Sequence, residues 1–185
     1  MAHTRLSIYN ICFMFLVFAA CKSNIVKYYP SGKKFESGKV VGGEKEGSWT
    51  RWYETGEKQG EYVYHKNRLN GFSTQWFKDG KIQALARYKD DQFVDTLKFF
   101  FRNGKLNYMK YFTSEGLQDG DFTVWHENGN ISQTGRYIGG KEDGEWKTYY
   151  ENGKLETVSY FKLGKEIGDW ITYSSDGKII GETHH

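Results

Sequence analysis

The feature that most restricts this chain is a glycine that returns every 24 residues. It stands at Gly32, Gly56, Gly80, Gly104, Gly129, Gly153 and Gly177, with a single step of 25 residues between Gly104 and Gly129. The residue before it is Ser31, Thr55, Asp79, Asn103, Asn128, Asn152 or Asp176. Asn-Gly and Asp-Gly favour a two-residue type I′ turn, because both central positions need positive φ. The seven glycines are therefore expected to be structural turns between paired strands. A second column holds Gly47, Gly71, Asp95, Gly120, Gly144 and Gly168, and a third, four residues earlier, holds Gly43, Asn67, Asp91, Gly116, Gly140 and Gly164. Only residue types that tolerate the left-handed region occur in either. Each repeat thus has two turns, one tight and one longer. The extra residue of the fourth step falls within 107–115, as a bulge or a longer turn at Thr113-Ser114-Glu115.

Two strands lie between the turns. The first follows the second-column glycine and is clearest in Gly144-Glu145-Trp146-Lys147-Thr148-Tyr149-Tyr150. Aromatic residues recur two, five and six positions after that glycine. Trp49, Trp146 and Trp170 fall in one column; Trp52, Trp76 and Trp125 fall in another, together with Tyr149 and Tyr173. The second strand follows the Asn-Gly turn and alternates, as in Ile82, Ala84, Ala86 and Tyr88 against Lys81, Gln83 and Arg87. Period-two alternation gives one buried and one wetter face, and a glycine about every ten residues disfavours helix. The expected fold is all-β: an elongated antiparallel β-meander of about six 24-residue β-hairpin repeats, roughly twelve strands, each repeat leaning mainly on its neighbours. One hairpin alone is marginal in water.

Aromatic residues make up 18% of the chain and the net charge is only +3, which argues against disorder and against nucleic acid as a partner. Lysines spread along the whole chain read as a solvated face. The first 21 residues differ from the rest. Arg5 precedes an apolar run from Ile11 to Ala20, too short to span a bilayer and suited to the core of a signal peptide. The run ends Val17-Phe18-Ala19-Ala20-Cys21, which resembles a bacterial lipoprotein signal, in which the cysteine is acylated and becomes the new N-terminus. Phe18 departs from that pattern, where an aliphatic residue is commoner. The expected organisation is a signal peptide over 1–20, a lipid-anchored linker over 21–27, the repeat domain over 28–181 and a disordered tail over 182–185. The resemblance makes Cys21 the lipidation site. It implies a membrane-anchored lipoprotein of the bacterial cell envelope, at the outer membrane, or a secreted or periplasmic protein without lipidation.

The pattern Gly-x-Trp-x-x-Tyr-Tyr-x-x-Asn-Gly-Lys, complete from Gly144 to Lys154, resembles the variant MORN repeat of bacterial proteins of the YwqK antitoxin-like family. Gly47 to Glu57, Gly120 to Asn130 and Gly168 to Lys178 follow it with substitutions. The third unit departs: Asp91 and Asp95 replace both glycines, and 97–101 carries no tryptophan. His126 replaces the aromatic residue that usually follows Trp125. The resemblance implies an antiparallel sheet that binds proteins or lipid headgroups, and by family name an antitoxin-like role in neutralising a toxin partner.

Little in the sequence speaks for catalysis, which needs convergent groups of distinct roles. His65 and His126 have neither a neighbouring nucleophile nor ligand spacing and are expected to be structural, while His184 and His185 are too few for a metal site. Glu46, Asp119, Asp143 and Asp169 flank turn glycines repeatedly, which reads as turn chemistry rather than a catalytic pair. No P-loop, dinucleotide fingerprint, His-Glu-x-x-His or Cys-x-x-Cys pattern occurs, so no enzyme activity, metal or cofactor is expected.

The aromatic columns can be core, filling a thin repeat protein, or a partly exposed strip that grips a partner. They fall on both parities of the first strand, so they cannot all face one side. Trp49, Trp52, Trp76, Trp125, Trp146, Tyr149, Trp170 and Tyr173 are the partner-binding candidates. The expected function is a non-enzymatic interaction surface for a protein partner at the cell envelope. A glycan- or lipid-headgroup-binding module is the alternative: the aromatic-rich motif resembles choline-binding repeats, although those units are shorter and carry a different Trp spacing.

Overall fold

The computed structural model describes residues 22–185, and all of its regular structure is β. The strands are β1 (Lys22–Tyr28), β2 (Lys34–Val41), β3 (Glu44–Trp52), β4 (Lys58–His65), β5 (Arg68–Leu69), β6 (Gly71–Trp76), β7 (Ile82–Lys89), β8 (Gln92–Phe100), β9 (Leu106–Phe112), β10 (Gly120–Trp125), β11 (Ile131–Ile138), β12 (Lys141–Glu142), β13 (Gly144–Tyr149), β14 (Leu155–Lys162), β15 (Lys165–Tyr173) and β16 (Ile179–His184). They form one 16-stranded open antiparallel sheet in chain order, with two-residue β5 and β12 paired only to β4 and β11. The expected meander of hairpin repeats is therefore present, with more strands than the twelve anticipated.

Successive repeats join in a single register. The residue five places after each Asn-Gly-type glycine faces the residue six places before the next: Ser37↔Thr50, Glu61↔Thr74, Leu85↔Lys98, Met109↔Thr123, Thr134↔Lys147 and Val158↔Ile171. A one-residue slip would exchange the two faces, so the buried pattern fixes this register.

The two turns have exchanged types relative to the sequence expectation. At the Asn-Gly column the glycine N–H donates three residues back, as Gly153 to Tyr150 O at 2.8 Å, while Tyr150 N–H donates to Lys154 O at 2.9 Å. Gly153 has φ of 83° and Asn152 is not left-handed. This is a three-residue loop: a type I turn closed by a left-handed glycine in a G1 bulge. The Asn side chain fixes it, with Asn152 Oδ1 accepting from Lys154 N–H at 2.9 Å, as Asn103 and Asn128 do from Lys105 and Asn130. The two-residue turns with positive φ at both positions are the others: Gly42-Gly43, Lys66-Asn67, Asp90-Asp91, Gly139-Gly140 and Leu163-Gly164. The extra residue of the fourth repeat converts this turn at Thr113 to Leu117 into the three-residue kind, with Gly116 N–H donating to Thr113 O.

Two boundaries move. The segment expected as linker, 21–27, lies from Lys22 onward in β1, which pairs with β2 from Lys22↔Val41 to Tyr28↔Lys34. The segment expected as disordered tail, 182–185, continues β16, and His185 exchanges backbone hydrogen bonds with Gly168. In both, a neighbouring strand satisfies backbone groups that composition alone leaves unassigned. The signal peptide and Cys21 lie outside the described residues.

Candidate binding surface

The two tryptophan columns have different fates. Trp49 and Trp146 are 2% and 3% exposed and form the core. Each ring lies flat against a strand glycine: a Cβ on Gly38 would sit 2.3 Å from the Trp49 ring, and one on Gly135 would sit 2.2 Å from that of Trp146. From the fourth repeat onward the rings form an unbroken chain, Phe122 to Trp146 at 5.6 Å, Trp146 to Phe161 at 6.1 Å, Phe161 to Trp170 at 5.4 Å and Trp170 to His185 at 4.7 Å. Trp49 Nε1 donates to Lys39 O at 3.1 Å, whereas the buried Nε1 atoms of Trp146 and Trp170 have no partner. Trp49 and Trp146 therefore have no surface to offer a partner, each buried where a facing glycine leaves room for it, whereas Trp170 of the same column is half-buried.

Trp52, Trp76, Trp125, Tyr149 and Tyr173 lie three residues further on, on the opposite parity, and are half-buried. At two strand spacings per repeat, successive members are about 10 Å apart. The Nζ of Lys34 lies 4.5 Å from the Trp52 ring and that of Lys58 lies 5.3 Å from Trp76, so the first two rings are partly covered by cations. The backbone of this column is clamped to the preceding repeat. Tyr29 Oη donates to Trp52 O, Tyr53 Oη to Trp76 O and Tyr150 Oη to Tyr173 O, at 2.7–2.8 Å. His126 takes the tyrosine's place, with Nε2 2.7 Å from Tyr149 O.

A further surface feature escaped the sequence reading. Phe72 is 70% exposed and flanks a groove of about 370 Å³ over the irregular third unit. Arg87 stacks on the Phe72 ring at 5.2 Å and pairs with Asp95 at 3.6 Å, and Thr74, Leu85 and Lys98 complete the groove. Beyond Arg87 the depression continues as a second one of about 480 Å³, bordered by Tyr88, Lys89 and Ser114. The signal was present in the repeat itself. The residue after each second-column position is Ser48, Phe72, Thr96, Asp121, Glu145 or Asp169, so Phe72 is the one apolar member of a polar column.

The carboxylates flanking turn glycines do the work expected of them, but between repeats. Glu46, Asp119 and Asp143 accept the backbone N–H of Lys66, Gly139 and Leu163, the first residue of the next repeat's two-residue turn, at 2.9–3.1 Å. A hydrogen bond from His65 and the one from Lys66 hold the Glu46 carboxyl below the ordinary carboxylate value, and the bond from Leu163 does the same for Asp143. Asp169 instead pairs with His184 on the adjoining strand, and His185 with Glu166. Among the described residues no three His, Cys, Asp or Glu side chains come together as a metal site.

A family model described as a MORN repeat variant matches residues 118–138 and 142–163. These spans contain β11 and β13 with the Asn-Gly turn between β13 and β14, and their register is the one found throughout the sheet. No curated protein matches the chain.

Proposed function

We propose that the chain is a non-enzymatic binding scaffold of the bacterial cell envelope that receives a protein partner on the Phe72 groove. Phe72 carries this reading: a phenylalanine 70% exposed stands where the other repeats keep Ser, Thr, Asp or Glu. A large exposed aromatic beside an arginine and an apolar groove has the composition of an interface hot spot. The groove also lies where the repeat loses its glycines and its tryptophan, so the departure from regularity coincides with the surface that departs from polarity. Attachment through an acylated Cys21 is the envelope half of the proposal, and it rests on the lipoprotein-like start of the sequence.

A photoreactive phenylalanine analogue at position 72, and a control analogue at position 121 of the same column, test the reading in intact cells. A discrete adduct from position 72 and none from 121 supports it. Equal labelling from both positions, or none from either while the protein is folded, removes it. Intact mass of the native protein tests the anchor, because an acylated N-terminal Cys21 has a mass that a plain secretory product lacks.

A second reading is favoured by the half-buried row of Trp52, Trp76, Trp125, Tyr149 and Tyr173, whose spacing suits a repeating ligand such as a glycan or a field of lipid headgroups. Glycan arrays and vesicle pull-downs separate it from the first, since flat responses on both leave only the protein partner.

A further inference from the structure

The two ends of the sheet differ in charge. Residues 22–52, which contain β1, carry seven Lys or Arg against three Asp or Glu; residues 142–185, which contain β16, carry five against nine. Among the described residues the outer sides of β1 and β16 are unpaired, and both strands expose large apolar side chains: Val26 and Tyr28 on one, Ile179 and Ile180 on the other. An unpaired edge is a template for another strand, and charge is a common means of controlling which strand adds there. Here the signs are opposite, so two β1 edges repel, two β16 edges repel, and a β1 edge attracts a β16 edge.

The strand types also match. β16 follows an Asn-Gly-type turn and β1 precedes one, which is the order found at all six junctions between repeats within the chain. Applying the register common to those junctions puts Glu182, five residues after Gly177, opposite Val26, six residues before Gly32. Lys27 then falls opposite Gly181, on the other face from Glu182 and already paired with Glu36 at 2.8 Å, so the attraction is between the two ends of the sheet rather than a single ion pair.

We propose that β1 of one copy pairs antiparallel with β16 of a second copy, continuing the meander from chain to chain in the register Val26↔Glu182. The contact joins two different edges, so it is heterologous and does not close on itself. It would extend into a row of copies whose length rises with concentration and falls with salt. The pairing uses the sheet edges and leaves the Phe72 groove uncovered, so it stands independently of the partner proposed above.

The test uses the full chain with Cys12→Ser and Cys21→Ser, as two variants carrying Val26→Cys or Glu182→Cys, both at exposed edge positions. A short thiol-reactive crosslinker is added to each alone and to the mixture. Crosslinked dimer in the mixture and little in either variant alone supports the proposal, together with a light-scattering mass that climbs above 21.6 kDa with concentration and returns toward it in high salt. Glu182→Lys, with thiols absent, should weaken association about three- to tenfold, the change expected for reversing one exposed charge at a contact. A monomer mass at every concentration, or equal crosslinking in the single variants, overturns it. So does binding of the chain to anionic phosphatidylserine vesicles with no self-association in solution, which would assign the basic end to a membrane surface instead.

Discussion

His126 donates through Nε2 to the carbonyl oxygen of Tyr149 at 2.7 Å, 23 residues along the chain, and so performs with an imidazole the clamp that Tyr150 performs on Tyr173 with a phenol. A carbonyl only accepts, so the proton sits on Nε2. The clamp ties the start of one turn to the last residue of a strand in the next repeat, and at the positions of Phe77 and Phe101 it is absent because phenylalanine has no donor.

This equivalence predicts that His126→Tyr is tolerated with little change in stability. His126→Phe keeps the ring and leaves the Tyr149 carbonyl without its donor, and should cost about 0.5–1.5 kcal/mol, the usual net worth of such a bond. Urea unfolding of the three proteins decides the matter, and equal midpoints for Tyr and Phe at position 126 would show that the ring matters and the bond does not.

A second expectation concerns size matching across strands. Carried one residue on, the register common to the junctions aligns the residue seven places before each Asn-Gly-type glycine with the residue six places after the previous one, as it is seen to do at Gly38↔Trp49. The pairs are Trp49 with Gly38, Ser73 with Tyr62, Leu97 with Ala86, Phe122 with Lys110, Trp146 with Gly135 and Trp170 with Ser159. The rings of Trp49 and Trp146 lie against Gly38 and Gly135, and in the alignment of Ser73 with Tyr62 the sizes are reversed. Tyr62→Gly alone should open a cavity at a cost of about 3–5 kcal/mol, and Ser73→Trp alone should overpack at about 1–3 kcal/mol. The double variant reproduces the Gly38–Trp49 pair. It should be more stable than the summed singles by about 2 kcal/mol or more, and strict additivity in a double-mutant cycle would sink the pairing rule.

The same comparison shows how far the sequence could be read. Left-handed residue types in columns revealed the turns and the meander, because few side chains tolerate positive φ; even Asp91 and Asp95 in the irregular unit adopt it, at 68° and 67°. The turn types could not be read the same way. Asn followed by Gly suits a type I′ pair, and it suits equally a type I turn whose Asn accepts the N–H two residues on and whose Gly closes the bulge. Only strand pairing separates the two. Burial of Trp49 and Trp146 was legible in principle, through Gly38 and Gly135, but the repeats had to be compared across strands rather than along them. The groove at Phe72 required the same comparison, and the opposite charges of the two edges disappear when charge is summed over the chain.

Part of the acid sensitivity of the fold should come from Glu36. It is 4% exposed and holds three cations, with Lys27 at 2.8 Å, Lys45 at 2.9 Å and Arg51 at 3.5 Å. Burial pushes its carboxyl up, but the hydrogen bonds and charges of Lys27 and Lys45 outweigh that, and its pKa lies below the ordinary value of 4.5. A carboxylate with a lowered folded pKa contributes stability that is whole above the unfolded value and is lost as pH falls through the folded one. Glu36→Gln should therefore cost about 1–3 kcal/mol at neutral pH, as expected for charged hydrogen bonds at a buried acceptor. That gap should narrow as the pH drops below 4.5. A gap unchanged down to the acid transition would mean that the lost contacts are not ionic.

The last expectation is a gain of stability. Leu163 has φ of 48° at the first position of a two-residue turn and is 48% exposed, where the other repeats with this turn place Gly42, Lys66, Asp90 or Gly139. A γ-branched apolar residue has no local hydrogen bond to offset the left-handed conformation, which costs roughly 1–2 kcal/mol for an ordinary side chain. What holds Leu163 there is its N–H bond to Asp143 Oδ1 at 3.1 Å and the bond from Gly164 N–H to Glu142 O at 2.7 Å. Leu163→Asn keeps both backbone donors and relieves the strain, so it should raise stability by about 0.5–1 kcal/mol. Leu163→Val adds β-branching at positive φ and should lower it by at least as much. The same change at Gly139, with φ of 56° in the equivalent turn, supplies the comparison: Gly139→Asn should be close to neutral, since glycine is unstrained there. If neither Asn nor Val at position 163 changed stability, the turn would be held by its cross-repeat hydrogen bonds so firmly that local preference no longer decides its stability.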